Sequence, residues 1–113
     1  MTIDLPEFRG RILEVLSLIA NPADQLQYQR SAPGIGVPAE LFNQWDDSYH
    51  PEDACFCNQF SERELVALAR FADVIDGVAN ETPQRLPALD EFAKTAEWRR
   101  LLIGARDALA VLM

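Results

Sequence analysis

The chain predicts an all-α fold, and three observations carry that expectation. Apolar residues recur at helical spacing in four separate stretches. No stretch alternates with period two over a strand's length. Prolines and glycines fall between the periodic stretches, where they punctuate helices. A length of 113 residues fits one helical domain spanning 1–113, long enough to bury a single modest core without staples. The expected architecture is a compact single-domain bundle of four main helices plus one or two short ones, with mixed crossing angles.

The first helix is expected over 6–20. Phe8, Ile12, Val15, Leu16 and Ile19 form one apolar stripe, Asp4 and Glu7 supply the acidic start, and Pro6 fits the first turn. Asn21 caps a short second helix at about 22–30, with Pro22 in its first position, Asp24 following, and Leu26 carried along it. Ser31 to Gly36 reads as a connector. A phosphate-cradling turn would need a preceding strand and a following lysine, and neither is there.

A third helix is expected over 38–49, opened by Pro38. At about 100° per residue, Leu41, Phe42, Trp45 and Tyr49 share its inner arc. Glu40, Asn43 and Asp47 face outward, with Asp46 nearer the edge. Pro51 breaks the helical pattern, so 50–60 is expected to be a loop.

Ser61-x-x-Glu64 is a capping box, flanked by Phe60 and Leu65 as a hydrophobic staple. It opens a fourth helix whose stripe reads Leu65, Leu68, Ala72 and Ile75, with Phe71 and Val78 at the margin. Gly77 and Asn80 allow an end near 76–80. Residues 81–87 form a Pro-rich connector, and Leu89 to Lys94 fit one or two helical turns. Thr95 caps the last helix, Glu97 lies in its first turn, and Trp98, Leu101, Leu102, Ala105, Ala108, Leu109 and Leu112 keep the 3.6 period. Arg99, Arg100 and Arg106 lie off that stripe.

The net charge of −8 argues against binding to nucleic acid or an anionic membrane, and it would steer a basic partner. From Val37 to Glu64 there are seven acids against one base, a local charge of −6. The start of the chain lacks a basic leader region, and no run is long enough to span a membrane, so a cytoplasmic protein is expected. Cys55 and Cys57 would then be reduced, and their C-x-C spacing is awkward for a bridge.

Metal and catalytic readings are weak on residue type. One C-x-C and one histidine, with Asp46, Asp47 or Asp53 nearby, lack the paired spacing of a zinc site, so neither a metal nor a cofactor is expected. His50 is the one base available to Cys55, and Asp46 and Asp47 diverge by about 100° on a helix. No triad, P-loop or metallohydrolase motif occurs, and no enzyme activity is expected. A small hydrolase would require a pocket enclosing His50 with Asp46 or Cys55. The aromatics Phe42, Trp45, Tyr49 and Trp98 read as core, with an edge of the third helix free to touch a partner.

The order NPADQLQYQR, VPAEL, QWDDSYHP, FSERELVALARF and EWRRLLIGARDAL, across about residues 21–109, resembles a group of small helical bacterial proteins. That group is similar to the all-helical immunity proteins of contact-dependent growth inhibition and related toxin systems. The resemblance implies a protein that neutralises a cognate toxin domain, often a nuclease. Cys55-Phe56-Cys57 departs from the family pattern, which puts any thiol role in doubt. An acidic inhibitor can fill a nuclease's basic cleft by imitating the charge of its substrate, and it needs rigidity and no chemistry of its own.

The expected partner-binding residues are therefore Glu40, Asp46, Asp47, Glu52 and Asp53 as docking carboxylates, with Tyr49 and His50 as closer contacts. The partner expected is a basic protein, a toxin domain. The alternative is a homo-oligomeric structural or regulatory domain without enzymatic activity, marked by a leftover apolar patch.

Overall fold

The computed structural model describes residues 7–81 and 94–113, and within them the chain forms six α-helices and no strand. The expected all-α class holds. Asp4, Pro6, most of the 81–87 connector and most of the short helix expected at Leu89–Lys94 lie outside the described residues.

Helix α1, Phe8–Ala20, buries Phe8, Ile12, Val15, Leu16 and Ile19, the stripe its spacing predicts. Glu7 makes no side-chain cap. Gln59, fifty residues away, does the equivalent work, its side-chain oxygen accepting from the Arg9 N–H at 3.0 Å. Asn21 caps α2, Pro22–Ser31, accepting from the Ala23 and Asp24 N–H groups at 3.1 and 3.4 Å.

Leu26 does not face the core of the bundle: half of it is exposed, and the buried residue of α2 is Gln25. The last carbonyls of α1 have no partner within their own helix. Gln25 Nε2 donates to two of them, Leu18 O and Ile19 O, at 3.0 Å each. A polar side chain thus welds the α1–α2 corner, giving Ile19 O a donor and Leu18 O a second one beside the Asn21 N–H at 3.3 Å.

Helix α3, Val37–Ser48, buries Val37, Leu41 and Trp45 and ends one residue short of Tyr49, whose N–H closes the last turn on Trp45 O at 2.9 Å. The stretch 50–60 is not all loop. Asp53 caps a single helical turn, α4, Ala54–Cys57, accepting from the Cys55 N–H at 2.8 Å. Pro51 ends α3 as expected, but the Asp53 cap restarts the helix three residues later. The restart has a use, because it drives Phe56 fully into the core.

Helix α5, Glu62–Glu81, opens on the capping box. The Ser61 N–H donates to Glu64 Oε1 at 2.8 Å, and the Glu64 N–H donates to Ser61 Oγ at 3.2 Å. Its buried stripe is rotated from the expected one. Ala67, Phe71 and Val78 are core, while Leu65 and Ala72 are only partly buried. The cause is packing against the last helix, α6, Ala96–Leu112, which turns the larger side chains inward. Thr95 caps α6 on the Trp98 N–H at 3.2 Å, and Trp98, Leu101, Ala105, Ala108 and Leu112 are buried. Leu102 and Leu109 sit at the margin.

Helix α6 is the centre of the assembly, with α5 and α1 packed along it and α3 laid on α1. At Gly104 the α5–α6 approach is tight enough that a side-chain carbon there would meet Phe71 and Val74 at 3.3 Å. Among the described residues no helix is long and apolar enough to cross a membrane.

Candidate protein-binding face

The expected docking residues sit over an aromatic cluster. Phe56 is its hub. Its ring meets Phe8 at 5.4 Å, Tyr49 at 5.7 Å and Phe60 at 4.9 Å between centroids. Trp45 stacks on Tyr49 at 4.8 Å and presents its other contact edge-on to Phe71 at 4.7 Å. Such offset and edge contacts fix ring positions beyond what burial alone does. The face above is therefore carried on a stiff floor that joins α1, α3, α4 and α5.

Tyr49 and His50 are the half-buried link between that floor and the surface. His50 packs edge-on against Phe8 at 5.4 Å, and its Nε2 lies 2.6 Å from the Asp47 backbone carbonyl. A carbonyl can only accept, so this Nε2 carries the proton. The Tyr49 hydroxyl is pushed above its usual range, first by burial and then by the electrostatic effect of the neighbouring Asp73, Cys57 and Asp76 side chains. Asp73 and Asp76 were not among the expected docking residues. They extend the acidic surface from α3 onto α5, and the residue order D-x-x-D on the outer side of α5 is the signal that marks them.

Of the five carboxylates expected to dock, Asp46, Asp47, Glu52 and Asp53 are exposed. Glu40 is half-buried, with Gln44 Nε2 donating to its Oε1 at 3.5 Å. Asp53 spends one oxygen on the α4 cap and keeps the other for solvent. Among the described residues none of these five forms an ion pair. The arginines that pair do so elsewhere: Arg9 with Glu64, and Arg100 with Glu81. Arg106 is turned to the carbonyl of Ala20 at 3.2 Å.

Chemistry at this face is poorly served. Cys55 is exposed, and the Cys57 thiol donates to Pro51 O at 3.3 Å. His50 makes no hydrogen bond to either sulfur, being held by Asp47 O. Among the described residues no three His, Cys, Asp or Glu side chains gather as metal ligands would.

No protein family, no curated protein and no solved structure matches this chain.

Proposed function

We propose that this protein is an immunity-type inhibitor, which binds a basic toxin domain and blocks it without performing a reaction. A nuclease fits best as the target, because its substrate cleft must be positive. The observation that carries the reading is the lack of internal neutralisation. Asp46, Asp47, Glu52 and Asp53 put four exposed like charges within eight residues of chain, and among the described residues no Arg or Lys pairs with them. That repulsion is relieved when a cationic surface arrives. The aromatic floor supports the same reading, since a stiff binder loses little freedom on docking.

The test pairs the protein with the product of the gene beside its own, which this reading expects to hold a basic toxin domain. Association is followed by stopped flow for the native chain and for Asp46→Lys with Asp47→Lys. The double variant should associate about tenfold more slowly at roughly 50 mM salt, with the gap closing at roughly 500 mM. Its folding stability should stay within about 0.5 kcal/mol of native, because both side chains are exposed. Equal rates at low salt would remove this face from the interface. A homo-oligomeric structural or regulatory domain is the second reading, and the open surface between α5 and α6 favours it.

A further inference from the structure

Two adjoining hollows between α5 and α6 share Val74, Gly104 and Asp107, and together they form one trough. Gly77 and Arg100 line one end, and Ala67 and Val111 line the other, so the two helices run antiparallel. Ile103 is 51% exposed beside the trough, and Val66, 53% exposed, lies one turn from Arg70 on α5. Gly77 adds no side chain to this surface and has open space beside it, which lets another helix come close, whereas Gly104 is already closed over by Phe71 and Val74 of α5.

The charge here differs from the rest of the molecule. Arg100 at one end is already paired with Glu81, and Asp73 there belongs to the acidic surface, but at the other end Arg70 and Asp107 form no ion pair among the described residues and balance each other in a chain of net charge −8. A basic partner has no electrostatic reason to choose this trough over the acidic surface. An identical copy does, since elsewhere two such chains repel.

We propose that the α5–α6 trough is a self-association surface on which two copies pair about a two-fold axis, Asp107 of each meeting an arginine of the other. The axis of such a pair lies in the contact plane. With the axis along the helices, α5 of each copy covers α6 of the other, and Asp107 meets Arg70, which lines the same end of the trough. With the axis across them, α6 lies antiparallel on α6 about Gly104. Asp107, three residues after Gly104, then meets Arg100, four residues before it, which exchanges Glu81 of its own chain for the new partner. Either arrangement makes two symmetric ion pairs over an apolar strip of Val74 and Ile103.

The face is about 25 Å long from the rise of α6 and about 20 Å wide across two helices, which gives roughly 1,000 Å² for both copies. That is the low end for a specific contact, so the pair is weak and reversible. The inference stands apart from the proposed inhibitor role, because the trough meets the acidic surface only at Asp73 and holds none of the α3 carboxylates.

Sedimentation equilibrium of the full chain, from about 5 to 500 μM, tests it. The mass should rise from 12.7 kDa towards twice that value. Ile103→Arg and Asp107→Arg should each weaken pairing by about tenfold or more. Adding Arg70→Glu or Arg100→Glu to Asp107→Arg should restore it in one of the two cases, and which one fixes the axis. Urea melts check that each variant is folded. A chain monomeric at every concentration overturns the proposal. So does a dimer indifferent to Ile103→Arg and Asp107→Arg, or a failure of both rescues. A monomer whose binding to a basic protein is lost with Ile103→Arg also overturns it, giving the trough to that partner.

Discussion

Removing the Arg9 guanidinium should loosen three helices at once and leave a pH signature. Arg9 projects from the start of α1 and grips Glu64 with two hydrogen bonds, at 3.0 and 2.8 Å. The same group donates to Gln59 O at 3.3 Å and Leu112 O at 2.9 Å, and it lies 5.5 Å from the Phe60 ring centroid. It therefore joins α1, the α4–α5 junction and the end of α6. Arg9 and the Ser61 N–H hold the Glu64 carboxyl down from 4.5 to about 2. A shift of that size corresponds to a ceiling of roughly 3 kcal/mol. Part of it belongs to Ser61, and the Arg9 side chain is 36% exposed, so solvent screening reduces the pair to about 1–1.5 kcal/mol. The two carbonyl bonds add about 0.5–1 kcal/mol together, because both acceptors can be rehydrated. Arg9→Ala should then cost about 2 kcal/mol at pH 7. Arg9→Lys should cost about half as much, keeping the charge and losing the fork.

Glu64 is depressed in the folded state. Its contribution is complete above about pH 4.5 and is lost as pH falls through about 2. Urea unfolding at pH 7 and at about pH 2.5 should show the Arg9→Ala deficit shrinking by about half at the lower pH. A deficit that is the same at both pH values, or below about 0.5 kcal/mol at pH 7, would refute the clamp.

Three other changes test separate parts of the fold. Gly77 sits inside α5 with nothing within 4 Å of where a side-chain carbon would go, so Gly77→Ala should raise stability by about 0.5–1 kcal/mol in urea melts at low protein concentration. Gln25→Leu should lower it by about 1–3 kcal/mol despite being more apolar, because Ile19 O loses its donor and Leu18 O keeps only the longer bond from the Asn21 N–H; an unchanged midpoint would contradict the cap. Phe56→Ala should cost about 3–5 kcal/mol and shift the NMR resonances of Phe8, Tyr49 and His50, which a mere loop residue would leave alone.

What the sequence made legible was local. The Ser61–Glu64 box, the Thr95 and Asn21 caps and the α1 stripe each depend on residues within a few positions of one another, and each holds. What escaped depends on the far side of the chain. Glu64 reads as a cap, but its second oxygen serves an arginine 55 residues earlier. Gln25 reads as surface until the end of α1 is seen above it. The α5 stripe turns because α6 selects which side chains face inward, and no pattern within α5 contains that choice. Asp53 did carry a local signal, a capping residue two positions after a proline, which the helix-breaking weight of Pro51 obscured. The outward placement of Asn43 and Asp47 on α3 was readable from angle alone, whereas Glu40 is half-buried beside Gln44, and Asp73 and Asp76 joined the set through tertiary proximity to Tyr49.

The stacking of Trp45 on Tyr49 turns the molecule into its own optical sensor. Trp45 lies one ring beneath the acidic surface, so an arriving cation or a tilt of Tyr49 will change its emission without any attached dye. Replacing Trp98 with Phe silences the second indole, which α6 holds buried. Fluorescence from Trp45 then reports events at the α3 surface, on the millisecond scale that encounter kinetics require.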